Sequence, residues 1–262
     1  MKLKNLLYAL IAPFVVSAFV SCSDIDENER LIEVQPEQTE GRKILIEDFT
    51  GQMCVNCPNA TDLIGTFQED YGHDTIIAVA IHSGPMSIPV GKKQSLATDE
   101  GNEYFNKWKP DSQPMGVINR KGGALNTNLW ATKITEIMST TTPVEMELTA
   151  EYDSEAKKIN AHIKAYAIAN VSGKLQLWIT EDDITAMQSM PDGKPNKTYV
   201  HNHVFRSSVN GTWGEDITLN NVDTFEKDYT IDVKDEWKGE NIHLVAFIYN
   251  DAEGVLQVVR SH

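Results

Sequence analysis

A Cys-x-x-Cys pair between an apolar run and a helical pattern is the feature that most constrains the fold of this chain. Cys54 and Cys57 follow the apolar run at 42–48, and Pro58 opens a segment whose apolar residues recur on one helical face. A second apolar run at 75–81 completes a strand–helix–strand unit. This pattern predicts two parallel strands that are buried on both faces.

The cysteine pair is explained better by chemistry than by structural stabilisation. The chain has three cysteines, and two residues separate Cys54 from Cys57. A disulfide between them would close a loop too short to add much chain-entropy stabilisation. A helix N-terminus carries partial positive charge and lowers the pKa of a nearby thiol. We therefore expect Cys54 to be the exposed attacking sulfur and Cys57, one turn inside the helix, to be the resolving sulfur.

The sequence pattern changes character at Pro143. Before it, helices are predicted at 99–108 and around Trp130, with a strand at 117–120 between them. After it, apolar and polar residues alternate, which predicts an all-β domain. The expected strands of this domain lie at 144–150, 159–166, 175–180, 200–206, 229–233, 242–249 and 255–259. The segment 186–198 carries two prolines and a glycine, and we expect it to be irregular.

The first 41 residues have the pattern of an export and anchoring segment. A basic start precedes a 15-residue apolar run at 6–20, which is shorter than a membrane-spanning helix and suits a secretory signal. Ser21 and Cys22 follow it in the arrangement of a bacterial lipobox. The pattern predicts a signal peptide at 1–21 and lipidation of Cys22, whereas ordinary cleavage would leave that thiol free. Residues 22–41 are polar and acidic, and are predicted to form a flexible tether.

Charge and motif content exclude several function classes. The formal net charge is -15 and no run of Lys and Arg interrupts it. Such a chain repels phosphate backbones, so nucleic acid is excluded as the main partner. The serine-hydrolase, phosphate-loop and zinc-protease signatures are absent from the sequence. We expect no cofactor.

The segment 47–58 resembles the active-site segment of the thioredoxin superfamily. The resemblance implies that Asp48, six residues before Cys54, is a buried acid that helps to move protons. It also implies that Pro114 is the superfamily's cis-proline, which packs beside the disulfide and presents backbone to a substrate peptide. The residues before and between the two cysteines differ from those of thioredoxins, so the redox direction is not predicted.

Over nearly its full mature length the chain resembles a narrower family, the outer-membrane protein "twenty-eight" lipoproteins of Bacteroidetes. The resemblance rests on the cysteine segment, on 114–120, on Glu181-Asp182 with Gln188, and on 201–206. It implies an α/β thioredoxin-like domain at 42–142, followed by an all-β sandwich (immunoglobulin-like) domain at 143–262. It also implies a lipid-anchored protein of the outer membrane, at its periplasmic face or on the cell surface.

Two functions from different classes remain open. The first is thiol–disulfide exchange on the thiols or disulfides of envelope proteins, with Cys54, Cys57, Pro114 and Asp48 as the catalytic residues. The second is a non-catalytic accessory lipoprotein that docks onto an outer-membrane transporter or another envelope assembly.

The sequence also contains candidate residues for a zinc site and for binding of a sugar or a partner. A zinc site could combine the cysteine pair with His82, or with His201 and His203. Because the latter two belong to the other predicted domain, no metal is predicted. Trp178, Trp213 and Trp237 could bind a sugar or a partner if they are exposed, although core packing is favoured for most of them.

Overall fold

Residues 41–261 are described by the computed structural model, and this part of the chain is mostly β-sheet with few helices. Its helices are α1 (Cys57–Tyr71), α2 (Asp99–Trp108) and α3 (Trp130–Met138). Its first strands are β1 (Ile44–Thr50), β2 (Ile76–His82), β3 (Met115–Ile118) and β4 (Ala124–Leu125). The later strands are β5 (Val144–Asp153), β6 (Lys158–Ala167), β7 (Val171–Glu181), β8 (Ile184–Ser189), β9 (Pro195–His201), β10 (Val204–Ser208), β11 (Glu215–Leu219), β12 (Thr224–Asp232), β13 (Ile242–Asn250) and β14 (Gly254–Arg260).

The predicted signal peptide, the tether and the lipidation site at Cys22 lie outside the described residues. Within residues 41–261, no helix combines the length and the apolar composition that crossing a membrane would require.

The predicted strand–helix–strand unit is confirmed. Strands β1 and β2 pair in parallel from Ile44 and Ile76 through to Thr50 and His82, and α1 connects them. Strand β3 pairs antiparallel with β1 on its other side. Strand β1 is therefore enclosed by neighbours, and all seven of its residues are buried.

Alternate residues of β1 face different helices. Ile44 and Ile46 join a buried cluster with residues of α1 and α3, whereas Leu45 and Phe49 join another cluster with Tyr104 of α2. Because side chains alternate along a strand, Asp48 shares the face of α1 and Glu47 shares the face of α2. This alternation separates the two buried carboxylates of β1 onto opposite sides of the sheet.

One large sheet contains strands from both sides of the predicted domain boundary at 142–143. Its order is β14-β13-β7-β10-β2-β1-β3-β4, with β11 also paired to β7. The junction is the short parallel pairing of Val204 with Ala80, where the Ala80 amide donates to the His203 carbonyl at 2.8 Å. Patterns of single strands do not predict this junction, because they carry no information about which strands become neighbours.

A second sheet, in the order β12-β6-β5, covers the far end of the large sheet. Apolar residues of β5 and β6 share one buried cluster with those of β7, β13 and β14. The inward residues of the two sheets thus form a single apolar layer between them.

Two predictions about the later strands are wrong. The segment 186–198, expected to be irregular, lies almost wholly in a hairpin of β8 and β9. The strand expected at 200–206 is divided between β9 and β10 because His203 adopts a left-handed conformation with φ 44°. The prolines and glycine that suggested a loop occupy the hairpin turn and the first position of β9, where they are tolerated. The strand at Glu215–Leu219 was not among the expected strands either.

Candidate functional site

Cys54 and Cys57 form a disulfide, with their Cα atoms 5.5 Å apart. Cys57 is the first residue of α1 and Pro58 occupies its first turn. The expectation that Cys57 lies one turn inside the helix is therefore wrong, because α1 begins at Cys57 itself, next to the Pro58 that the sequence pattern places at the helix start. Cys54 precedes the helix by three residues and remains close to its positive end.

The expectation that Cys54 is exposed is also wrong for this oxidised state. Cys54 is 4% exposed and Cys57 is 2% exposed. The residues on either side of Cys54 are open to solvent, with Met53 at 42% and Val55 at 43%. The disulfide therefore lies just beneath a surface formed by apolar side chains.

The β8–β9 hairpin contributes to this burial by bonding to the backbone of the cysteine loop. The side-chain amide of Gln188 donates to the carbonyl oxygens of Cys54 at 2.8 Å and of Gly51 at 3.3 Å. The Ser189 amide donates to the Gln52 carbonyl at 2.8 Å. Gln188 belongs to the set of residues that carried the family resemblance, and its position explains why it accompanies the cysteine pair.

The Gln113–Pro114 peptide bond is cis, as the resemblance implied. The Cys54 Sγ atom is 3.4 Å from the carbonyl oxygen of Gln113. The side-chain amide of Gln113 donates to the carbonyls of Thr50 at 2.7 Å and Ser83 at 3.0 Å. Gln113 thus fixes the proline loop to the carboxyl ends of β1 and β2. No role for Gln113 was predicted from the sequence.

The loop before the cysteines requires a glycine at position 51. A β-carbon at Gly51 would lie 2.3 Å from the carbonyl oxygen of Met86. That carbonyl accepts a hydrogen bond from the Met53 amide at 2.8 Å. The close approach of the two backbones therefore holds the turn that leads into Cys54.

Asp48 is buried, with 1% exposure, on the face of β1 that carries α1. Burial raises the pKa of its carboxyl group from 3.8 to about 7, because the charged form loses its hydration. Its Oδ1 atom meets no hydrogen-bond donor among the described residues. A carboxyl group in this state can hold or release a proton near neutral pH, which the predicted proton-moving role requires.

Two histidines, His82 and His201, share a small cavity with Cys57. Their ring centroids are 5.1 Å apart, and both residues are buried. Burial lowers the pKa of His82 well below its usual value and lowers that of His201 to about 4, so both rings are neutral at pH 7.

From the sequence, these histidines were candidates only for a zinc site, which was not predicted. His82 ends β2 as Thr50 ends β1, and this parallel register was the signal that could have placed His82 near the cysteine loop. Within the described part of the chain, no group of three or more His, Cys, Asp or Glu side chains is arranged to hold a metal ion.

Comparison with known proteins gives a family and a fold. A family model described as outer membrane protein Omp28 matches residues 101–262, a region that begins after the cysteine pair. No curated protein matches the chain.

Two solved structures from Porphyromonas gingivalis are similar to this chain. The structure of HBP35 aligns with a TM-score of 0.67 at 14% identity, over 85% of this chain and 75% of its own. A domain of the outer membrane lipoprotein Omp28 is 24% identical over 45% of this chain and 86% of its own, with a TM-score of 0.31. The likeness to HBP35 is one of fold alone.

Proposed function

The chain belongs to the outer membrane protein Omp28 family, and we propose that it is an outer-membrane protein that exchanges thiols and disulfides with other envelope proteins. The proposal includes a thioredoxin-like domain at 42–142, a β-sandwich domain at 143–262 and a lipid anchor on Cys22. One observation carries it. The Cys54–Cys57 disulfide lies between the start of α1 and the Gln113 carbonyl, 3.4 Å from the Cys54 Sγ atom.

The exchange begins with nucleophilic attack on Cys54. A thiolate of the partner protein attacks the Cys54 Sγ atom, the Cys54–Cys57 bond breaks, and Cys57 leaves as a thiolate that takes up a proton. The second thiolate of the partner then attacks the partner sulfur of the mixed disulfide and releases Cys54. Two electrons have then passed from the partner's dithiol to this chain, and the reverse sequence oxidises Cys54 and Cys57 at the expense of a partner disulfide.

Buried groups near Cys57 supply and accept the protons. Asp48 changes its charge near pH 7, and it shares with α1 the face of the sheet on which Cys57 begins that helix. His82 and His201 line the cavity that Cys57 also lines, and as neutral rings each has a nitrogen that can accept a proton. We assign Asp48 the proton exchange with Cys57 that the resemblance implies.

Exposed apolar side chains around the disulfide suit a protein substrate. Met53, Val55 and Met86 are each more than two-fifths exposed, and Met86 bonds through its backbone to the cysteine loop. An unfolded or extended envelope protein presents apolar side chains and backbone amides, which such a surface and the adjacent proline loop can contact.

The test is capture of the mixed disulfide in cells. A Cys57→Ala variant lacks the resolving sulfur, so Cys54 is expected to remain joined to its partners in complexes that dithiothreitol releases. The matched control is the double variant Cys54→Ser/Cys57→Ala, which also controls for any thiol at Cys22. Equal amounts of the same complexes in both variants, or none in either, would contradict the proposal.

Burial of the disulfide favours the second candidate, a non-catalytic accessory protein that docks onto a transporter or another envelope assembly. Both sulfurs are almost inaccessible, and Gln188 holds the hairpin against the cysteine loop. In this case the double variant would recover its partners in complexes that resist dithiothreitol, and the disulfide would serve only to fix the loop.

A further inference from the structure

A cavity of about 630 Å³ lies near the end of β3, whereas the disulfide lies near the start of that strand. Pro114 precedes β3 beside the cysteines, whereas Arg120 follows β3 and lines the cavity. The volume falls within the roughly 300–1,000 Å³ that small-molecule sites occupy. Neither Cys54 nor Cys57 lines the cavity, and so its ligand is independent of the exchange chemistry.

Three aromatic side chains form its walls, namely Trp108, Trp213 and Tyr249. Trp108 and Trp213 are half-buried, and both line the cavity. The Tyr249 hydroxyl donates to the Trp213 carbonyl at 2.7 Å, and the Trp213 ring packs edge-on against Tyr104 at 5.1 Å. The walls are therefore fixed before any ligand arrives, which reduces the entropy lost on binding.

The other tryptophans that the sequence analysis considered for sugar binding are core residues. Trp178 is fully buried and packs against Phe247, and Trp237 is 8% exposed in the cluster between the two sheets. Trp213 alone of these three lines the cavity.

Arg120 closes the cavity with a buried guanidinium group. Its Nε atom donates to Glu47 at 2.6 Å, and its two terminal nitrogens are buried. They lie against aromatic rings, with the guanidinium carbon 4.2 Å from the ring centroid of Tyr249. The Arg120 charge is therefore held by Glu47 and by the rings, and the aromatic walls and the rim are left to contact a ligand.

The rim of the cavity carries both signs of charge. Lys107 and Lys174 face Asp216 and Asp251, and Lys174 pairs with Asp216 at 2.7 Å. The aspartates disfavour an anionic ligand and the lysines disfavour a cationic one, while together they offer hydrogen-bond donors and acceptors.

We propose that this cavity binds a neutral saccharide. The hydroxyl groups of a sugar both donate and accept hydrogen bonds, which matches the mixed rim. The C–H face of a pyranose ring is apolar and flat enough to stack on an indole, which matches Trp108 and Trp213.

The test is calorimetric titration of the purified full-length chain with maltose, cellobiose, lactose and N,N′-diacetylchitobiose. At least one disaccharide is expected to bind with a Kd below about 1 mM. Trp213→Ala is expected to weaken that binding about tenfold or more, because it removes a stacking surface. Asp251→Asn, at the exposed rim, provides a second variant that leaves the aromatic walls intact, and is expected to weaken binding at least about threefold, because one of its two acceptor oxygens becomes a donor.

Two controls separate this site from the rest of the protein. Trp237→Phe changes a buried tryptophan outside the cavity and is expected to leave the Kd unchanged. Cys54→Ser is also expected to leave the Kd unchanged, so that a failure of the exchange proposal does not affect this one. The inference is overturned if none of the four sugars binds the unmodified chain, or if Trp213→Ala and Asp251→Asn both bind as tightly as it does.

Discussion

Replacing Arg120 with methionine is expected to lower the free energy of unfolding by about 3–5 kcal/mol, the cost of leaving one member of a buried ion pair without its partner. Glu47 is fully buried and accepts from the Arg120 Nε atom at 2.6 Å. Burial raises the pKa of Glu47, whereas the Arg120 charge opposes that rise. The variant also removes the guanidinium from among the rings of Tyr249 and Phe247.

Urea denaturation followed by tryptophan fluorescence measures this loss. The matched control is Lys133→Met, which removes a surface pair with Glu136 at 3.0 Å and is expected to cost at most about 1 kcal/mol. The double variant Glu47→Gln/Arg120→Met removes both charges and is expected to recover part of the loss. A cost below about 1 kcal/mol for Arg120→Met would contradict this prediction, because the buried pair would then contribute no more to stability than an exposed pair.

The second large effect is expected at Asp48, where replacement by asparagine should stabilise the protein above pH 7. The pKa of this carboxyl is about 7 in the folded state against an ordinary 3.8. Between these values the folded protein holds a proton that the unfolded chain has released, so the contribution of Asp48 to stability falls as the pH rises. The loss is complete above pH 7 and amounts to as much as about 4 kcal/mol.

The difference in unfolding free energy between Asp48→Asn and the unmodified chain isolates the pH-dependent contribution of the Asp48 carboxyl. It is expected to rise from near zero at pH 4 to its full value at pH 8. The buried histidines have lowered pKa values and act in the opposite sense, because they stabilise the fold as the pH rises towards 6.5. Their contribution cancels in the comparison, because both proteins contain the same histidines.

The control is Asp62→Asn, on the exposed side of α1, which should change stability by no more than about 0.5 kcal/mol at either pH. A difference for Asp48→Asn that is the same at pH 4 and pH 8 would contradict this account.

The local elements of the N-terminal half were predictable from residue patterns. The apolar residues of α1 recur on one helical face, and Pro58 and Gly72 mark its two ends, as the structure confirms. Strands β1 and β2 were predicted as a parallel pair because both are continuously apolar. These predictions succeeded because each depends on residues that are close in sequence.

The junction between the two halves was not predictable in this way. It includes the pairing of Val204 with Ala80, the backbone hydrogen bond from Ala80 to His203, and the left-handed conformation of His203 that ends β9 and starts β10. Apolar periodicity reports burial and does not report which strands become neighbours. Residues from distant parts of the sequence meet at this junction, which is how His201 comes to lie beside His82.

The site was predictable in part. The cysteine pair, the acid and the proline were identified from spacing and resemblance, and the residue before Pro114 contacts Cys54. The burial of the sulfurs and the contacts of Gln113 and Gln188 were not predictable, because glutamines bonded to distant backbone carbonyls leave no local pattern. The catalytic roles themselves remain predictions.

The most direct test of the central claim is the rate at which iodoacetamide alkylates each cysteine of the reduced, folded protein as a function of pH. We expect Cys54 to react faster than Cys57. The rate for Cys54 should have a midpoint below about pH 8.5, the pKa of a free thiol. Mass spectrometry assigns the label to one sulfur or the other. If neither sulfur reacts in the folded protein, or if the midpoint for Cys54 lies at or above that value, Cys54 is not the nucleophile of a thiol–disulfide exchange protein.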